Sequence, residues 1–241
     1  MSESVVRESA PPAMAPSTPK TGRIEWLLIV AILAVIGTGV RAIYFTPMDS
    51  LQGAVQKIFY VHVPSAFVAL YMAFALVALM SALFLWLHDL RFDRVAESSA
   101  EVGVIFTTAV LCTGPIWAKA AWGTWWTWDA RLTSTLFLWF MYVGYLVMRG
   151  AMQDRMMRAR YSAVLGLLGA LLIPFIHLSV YLFRTMHPRP IVLKPSAPSL
   201  PPDMLQTFLL ALCSFALLFV ALLRIRYRMA VARDALLEEN D

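Results

Sequence analysis

Apolar residues in this chain come in long uninterrupted blocks rather than at the spacing that gives one face of a soluble helix or strand. A hydrocarbon core about 30 Å thick takes about 20 apolar residues of helix. Six blocks approach that length, at roughly 26–44, 59–87, 102–117, 132–147, 163–183 and 204–223. With 60% hydrophobic and 15% charged residues over 241 positions, a bilayer is the natural solvent for them. Backbone groups in lipid must be satisfied within the segment, so continuous blocks predict helices and not barrel strands. The expected fold class is an all-α integral membrane protein with six transmembrane helices. The second block exceeds one crossing and is expected to tilt or project, whereas the third is short.

Basic residues orient such a bundle, because Lys and Arg favour cytoplasmic loops. With the N-terminus inside, thirteen of the 20 basic residues fall on the inner side and seven on the outer. Both termini are therefore expected in the cytoplasm. Topology and anionic lipid account for the net charge of +5, and no aromatic-interleaved basic patch argues for nucleic acid. Residues 1–22, rich in Pro, Ser and Ala, lack the apolar core of a secretory signal and read as a disordered cytoplasmic tail. Residues 23–228 form one membrane domain, with a Trp-rich external loop at 118–131 and a second external loop at 184–203. The stretch RPIVLKPSAPSLPPD, with five prolines, predicts an extended loop. Residues 229–241 form a cytoplasmic C-terminal tail that continues the last helix before fraying. No internal repeat is evident.

Between the third and fourth spans, WGTWWTWDARLTS packs four of the chain's eight tryptophans into seven residues. Interfacial tryptophans ordinarily scatter over many span ends, so this concentration calls for another reason. In a short helix Trp122, Trp125 and Trp126 share one face by i, i+3, i+4 spacing and make a stacking platform for a planar ligand. Of the four histidines, His88 beside Asp89 reads as a solvated surface residue. His177, inside the fifth span, is either functional or a neutral imidazole bonded to a neighbouring helix. His62 in FYVHVPSA and His187 in RTMHPRP lie near the outer ends of spans two and five, at about the depth of the tryptophans. Haem matches these parts, with an iron that takes two axial imidazoles, an apolar macrocycle and two propionates that favour Arg or Lys. Lys57 and Arg131 stand where either meets a propionate. Asp129 is assigned to tryptophan N–H groups or a cation, holding the loop in shape.

At these residues the chain resembles the WWD-signature haem-handling proteins of cytochrome c maturation. The six-span layout, the chain length and KIFYVHVPSA are similar to the CcmC, or haem exporter protein C, family over about residues 25–225. The resemblance implies that His62 and His187 are the axial ligands of the haem iron, and that Trp122, Trp125, Trp126, Trp128 and Asp129 form the WWD core. Lys57 and Arg131 match basic residues near the family's site. The implied cargo is non-covalent haem b, presented on the periplasmic face of the inner membrane to the haem chaperone CcmE, with CcmA, CcmB and CcmD as further partners. The chain departs from the family before its second histidine. There SVYLFRTMHPRP carries Leu182 and Phe183 in place of two tryptophans, and Pro188 in place of a glutamine.

The motifs that are missing sharpen this division of labour. No G-x-x-x-x-G-K-[ST] loop supplies ATP chemistry. No C-x-x-C-H holds haem covalently, and Cys112 and Cys213 stand alone inside spans. Attachment chemistry is expected to come from positioning haem, not from acid–base residues of this chain. Three alternatives remain: a small-molecule permease with a midplane site at His177 and Pro174, a WWD haem lyase of the CcsA type, and a structural subunit whose outer tryptophans are membrane anchors.

Overall fold

The computed structural model describes residues 25–239 except 193 and 195, so the 1–22 tail lies outside the described residues. Among them the chain is helical, with no β-strand and six helical segments long and apolar enough to cross a membrane: Trp26–Phe45, Ala54–Leu87, Leu90–Trp122, Ala130–Ala151, Arg155–Leu182 and Pro202–Glu238. The elements are α1 (Trp26–Val40), α2 (Phe59–Phe67), α3 (Ala75–Leu87), α4 (Leu90–Trp122), α5 (Ala130–Ala151), α6 (Arg155–Ala170), α7 (Leu172–Leu182) and α8 (Pro202–Glu238).

Local chemistry sets the boundaries. Asp89, Asp129 and Asp154 cap α4, α5 and α6 by accepting backbone N–H bonds from the first turn. Pro201 and Pro202 start α8, where a missing N–H costs nothing. Gly123 closes α4 at φ 78°, a left-handed turn that glycine takes without strain. Pro174 has no N–H for the carbonyl four residues back, and the fifth span breaks there into α6 and α7.

The second span is continuous but widened. A π-helical stretch, Val68–Phe74, joins α2 to α3, and two of its carbonyls take bonds from other helices. Tyr142 Oη donates to Ala69 O at 2.6 Å, and Ser99 Oγ to Ala73 O at 2.9 Å. Small residues let the helices approach closely. A Cβ on Gly103 would sit 2.4 Å from the Tyr142 ring, and one on Gly169 2.4 Å from Phe74 Cζ. The buried core gathers Val68, Phe74, Val77, Phe106, Leu138 and Tyr142 around this widened turn.

The third span is not short. α4 begins at Leu90, well before the apolar block at 102, because its acidic residues are paired. Arg149 grips Asp93 through two bonds of 2.5 and 2.9 Å and reaches Glu97 at 3.0 Å. Arg233 of α8 holds Glu97 at 2.8 Å, and Asp234 takes Arg94 and Arg155 at 3.2 and 2.7 Å. Paired this way, charges fit into a bundle that would otherwise exclude them. The same network keeps α8 helical through Glu238, so residues 229–238 extend the last helix.

Candidate functional site

Opposite this charged end, the ends of α2, α4, α5, α7 and α8 enclose a cavity of about 750 Å³, within the usual size range of a ligand pocket. His62 and His187 both line it, together with His177, Tyr71, Arg131, Trp122 and Trp126. Among its described residues the loop after α7 contains no helix. It folds back, with Ser199 N donating to Ile191 O at 3.0 Å, and packs Ile191, Val192 and Leu200 against Phe59, Tyr60 and Phe208. It is thus one wall of the cavity and not a free extended segment.

The partners of the two histidines decide their tautomers. Thr113 Oγ1 donates its one proton to Ala109 O at 2.7 Å, so at 2.9 Å from His62 Nδ1 it acts as acceptor. His62 therefore carries its proton on Nδ1 and keeps the Nε2 lone pair free. His187 Nδ1 lies 2.8 Å from Pro188 O, and a carbonyl can only accept. This imidazole too is an Nδ1–H tautomer with Nε2 free. Burial, and next the charge of Arg131, hold the His187 pKa down to about 3, which keeps the ring neutral and its lone pair available at any physiological pH. Gly114 makes room for the other ring, since a Cβ there would lie 3.2 Å from His62 Cε1. Trp117 packs edge-on to His62 at 5.7 Å and donates Nε1–H to Gln52 at 2.7 Å.

The tryptophan stretch is not a helix. α4 ends at Trp122, α5 begins at Ala130, and the residues between form an irregular loop. The expected i, i+3, i+4 face is therefore absent, and the four indoles separate into two pairs by position. Trp122 and Trp126 line the cavity, and Trp126 Nε1 is buried with no acceptor among the described residues. Trp125 and Trp128 stay 58% and 77% exposed, although Trp128 meets Trp126 edge-on at 5.7 Å. Among the described residues Asp129 bonds neither an indole nor a cationic side chain. It accepts from Arg131 N and Leu132 N at 3.0 and 2.9 Å and from Thr127 Oγ1 at 3.1 Å, so it shapes the loop as a helix cap.

Arg131 lines the cavity and Lys57 does not. The Arg131 guanidinium faces the cavity and donates once, to Ile176 O at 3.3 Å. Lys57 is not among the lining residues, and its ammonium is tied to Thr46 O and Pro47 O at 2.5 and 2.9 Å. His88 caps α3 in a left-handed conformation, exposed and away from the cavity. His177 lies inside the same cavity, bonded through Nδ1 to Tyr71 Oη at 2.5 Å. The residue flagged by the permease alternative thus belongs to the space that His62 and His187 line. Among the described residues no group of three or more His, Cys, Asp or Glu side chains is placed to hold a bare metal ion. Two open imidazoles lining one cavity suit an iron that already has four equatorial ligands.

The model of the family CcmC, heme exporter protein C, matches residues 8–240. The chain belongs to this family. A heme exporter protein C from Haemophilus influenzae is 35% identical over 216 residues, covering 88% of this chain and 87% of the relative. One from Bradyrhizobium diazoefficiens is 36% identical over 202 residues, with 84% and 76% covered. One from Escherichia coli K12 is 37% identical over 166 residues, with 68% and 66% covered. Three residues beside the cavity's histidines carry no signal in the sequence of this chain: Thr113, Gly114 and Tyr71. Thr113 and Gly114 meet His62 across a separation of about fifty positions, and no local pattern marks them. Leu182 and Phe183, which depart from the expected motif, are exposed at the end of α7 and do not line the large cavity.

Proposed function

We propose that this chain holds haem in the cavity between His62 and His187 and hands it to the chaperone CcmE. As a member of the heme exporter protein C family, it is a multi-pass membrane protein with a role in the haem handling of cytochrome c maturation. The observation that carries the finer reading is the matched pair of imidazoles. Both line one cavity, both have Nδ1–H committed to a fixed acceptor, and both keep Nε2 open. Fixing the ring through its other nitrogen is how proteins orient a ligating histidine and raise its basicity.

Haem is the cargo here, and its iron supplies the two axial positions. His62 offers a lone pair from α2, packed against Trp117 and spaced by Gly114. His187 offers the other from the loop beyond α7. Trp122 and Trp126 give the macrocycle apolar walls, and Arg131 faces the ring's carboxylates. Trp125 and Trp128, left exposed on the same loop, form the surface on which CcmE docks. The basic-residue bias puts the cavity on the periplasmic side of the inner membrane with both termini cytoplasmic. The haem is b-type and non-covalent, since neither cysteine of the chain lies near His62 or His187 in a C-x-x-C-H pattern. CcmA and CcmB supply ATP work, and CcmD completes the complex.

The test is co-expression of the full chain with tagged CcmE, reading the Soret band of the purified chain and covalent haem on the chaperone. A Soret band on the chain and chain-dependent loading are expected. A colourless chain, or a chaperone loaded equally well without it, would refute the proposal.

A further inference from the structure

Farther along the second span than His62, and within α7 rather than in the loop beyond it, the cavity holds a polar cluster that axial ligation of an iron does not use. Tyr71 comes from the π-helical turn of the second span, His177 from α7 and Arg131 from the first turn of α5, and all three line the cavity. Widened turns of this kind recur at functional sites. Tyr71 Oη and His177 Nδ1 are 2.5 Å apart. Arg131 reaches Ile176 O, the carbonyl next to His177. Among the described residues no carboxylate lies within ion-pair distance of Arg131.

Hydrogen counting shows what this cluster offers. A neutral imidazole has one N–H and a phenol one O–H, and the bond between them consumes one of the two. If Tyr71 donates to Nδ1, the remaining donor is His177 Nε2–H. If Nδ1–H donates to Tyr71, the remaining donor is the Tyr71 hydroxyl. Either arrangement leaves one donor from the pair beside a guanidinium whose further N–H groups have no acceptor among the described residues. A cation and an adjacent neutral donor at the inner end of an apolar space recognise a carboxylate.

We propose that Arg131 together with the Tyr71–His177 pair binds a carboxylate of the cavity's ligand, so that haem sits with a propionate edge inward and its opposite edge toward the mouth. This rests on the haem reading and adds Tyr71 and His177 as positioning residues. An inward carboxylate satisfies the guanidinium away from water, and it leaves the apolar edge of the macrocycle beside Trp122 and Trp126, where a partner can approach it.

Ferric haem and haem dimethyl ester present the same iron and ring and differ only in their carboxylates. Titrating both into the full chain in detergent, freed of haem, measures the preference for the free acid. Wild type is expected to prefer the acid by about tenfold or more, the scale of a charge-assisted hydrogen-bonded site. Tyr71→Phe and His177→Gln should each lower that ratio by about threefold or more while still binding the ester with a low-spin spectrum, which reports an intact cavity and intact axial ligation. Equal binding of acid and ester by wild type would overturn the proposal, as would a wild-type ratio in both variants. Absence of a Soret band with either porphyrin would instead refute the haem reading on which it stands.

Discussion

Thr113 is the sharpest place to perturb the site without touching a ligand. Thr113→Val keeps the shape of the side chain and removes the acceptor that receives His62 Nδ1–H at 2.9 Å. The bond that the hydroxyl donates to Ala109 O is also lost, but that carbonyl keeps its helical partner and the loss there is small. The consequence falls on His62. Its buried N–H loses its partner, at a cost of about 1–3 kcal/mol, and the ring no longer has a reason to hold Nε2 toward the cavity. Removing the partner of a ligating histidine typically lowers metal affinity about 10- to 100-fold. The dissociation constant for ferric haem, from Soret titration of the chain in detergent, should rise by that factor. Thr113→Ser, which restores the oxygen, should bind like wild type. Equal affinity in Thr113→Val and wild type would refute the assignment of the His62 tautomer and its role.

Three further outcomes follow from the same geometry. Trp126→Ala should lose about 1 kcal/mol of ring contact and retain less haem, whereas Trp128→Ala, at a residue 77% exposed, should keep its haem and load CcmE poorly; haem content beside chaperone loading separates the two. Arg149→Ala leaves Asp93 and Glu97 buried without their shared cation and should destabilise the bundle by about 3–5 kcal/mol, seen as early thermal unfolding in detergent, while Arg226→Ala at the more exposed Glu101 pair should do much less. Cysteines placed at Gly123 and Ser196 should react with an impermeant label from the periplasm and one at Gln153 should not, and labelling of Gln153 would reverse the orientation.

The six spans were legible because lipid demands contiguous apolar blocks, a pattern no folding detail can hide. Their ends were less so. α4 starts at Leu90 because Asp93, Glu97 and Glu101, one turn apart on a single face, meet arginines from α5 and α8. The four-residue spacing was visible, but its partners lie far along the chain. In the tryptophan loop, spacing alone favoured a helical face. The stronger signals were Gly123, free to take a left-handed φ, and Asp129, a helix cap one residue before Ala130. His62, His187, Trp122, Trp126 and Arg131 stand out by residue type, and all five line one cavity. Lys57 was chosen by proximity in sequence, and its ammonium serves two carbonyls of the preceding loop instead. Thr113, Gly114 and Tyr71 carry no distinctive chemistry until the helices bring them against a histidine.

The central claim is that two neutral imidazoles of this chain ligate one iron. The most direct measurement is the low-temperature electron paramagnetic resonance spectrum of the ferric full chain, beside His62→Ala and His187→Ala with and without added imidazole. Wild type should give a low-spin bis-imidazole signal. Each single variant should shift to high spin or lose its haem, and free imidazole should restore the low-spin signal by filling the vacated space. A low-spin signal that persists unchanged in both variants would contradict the account.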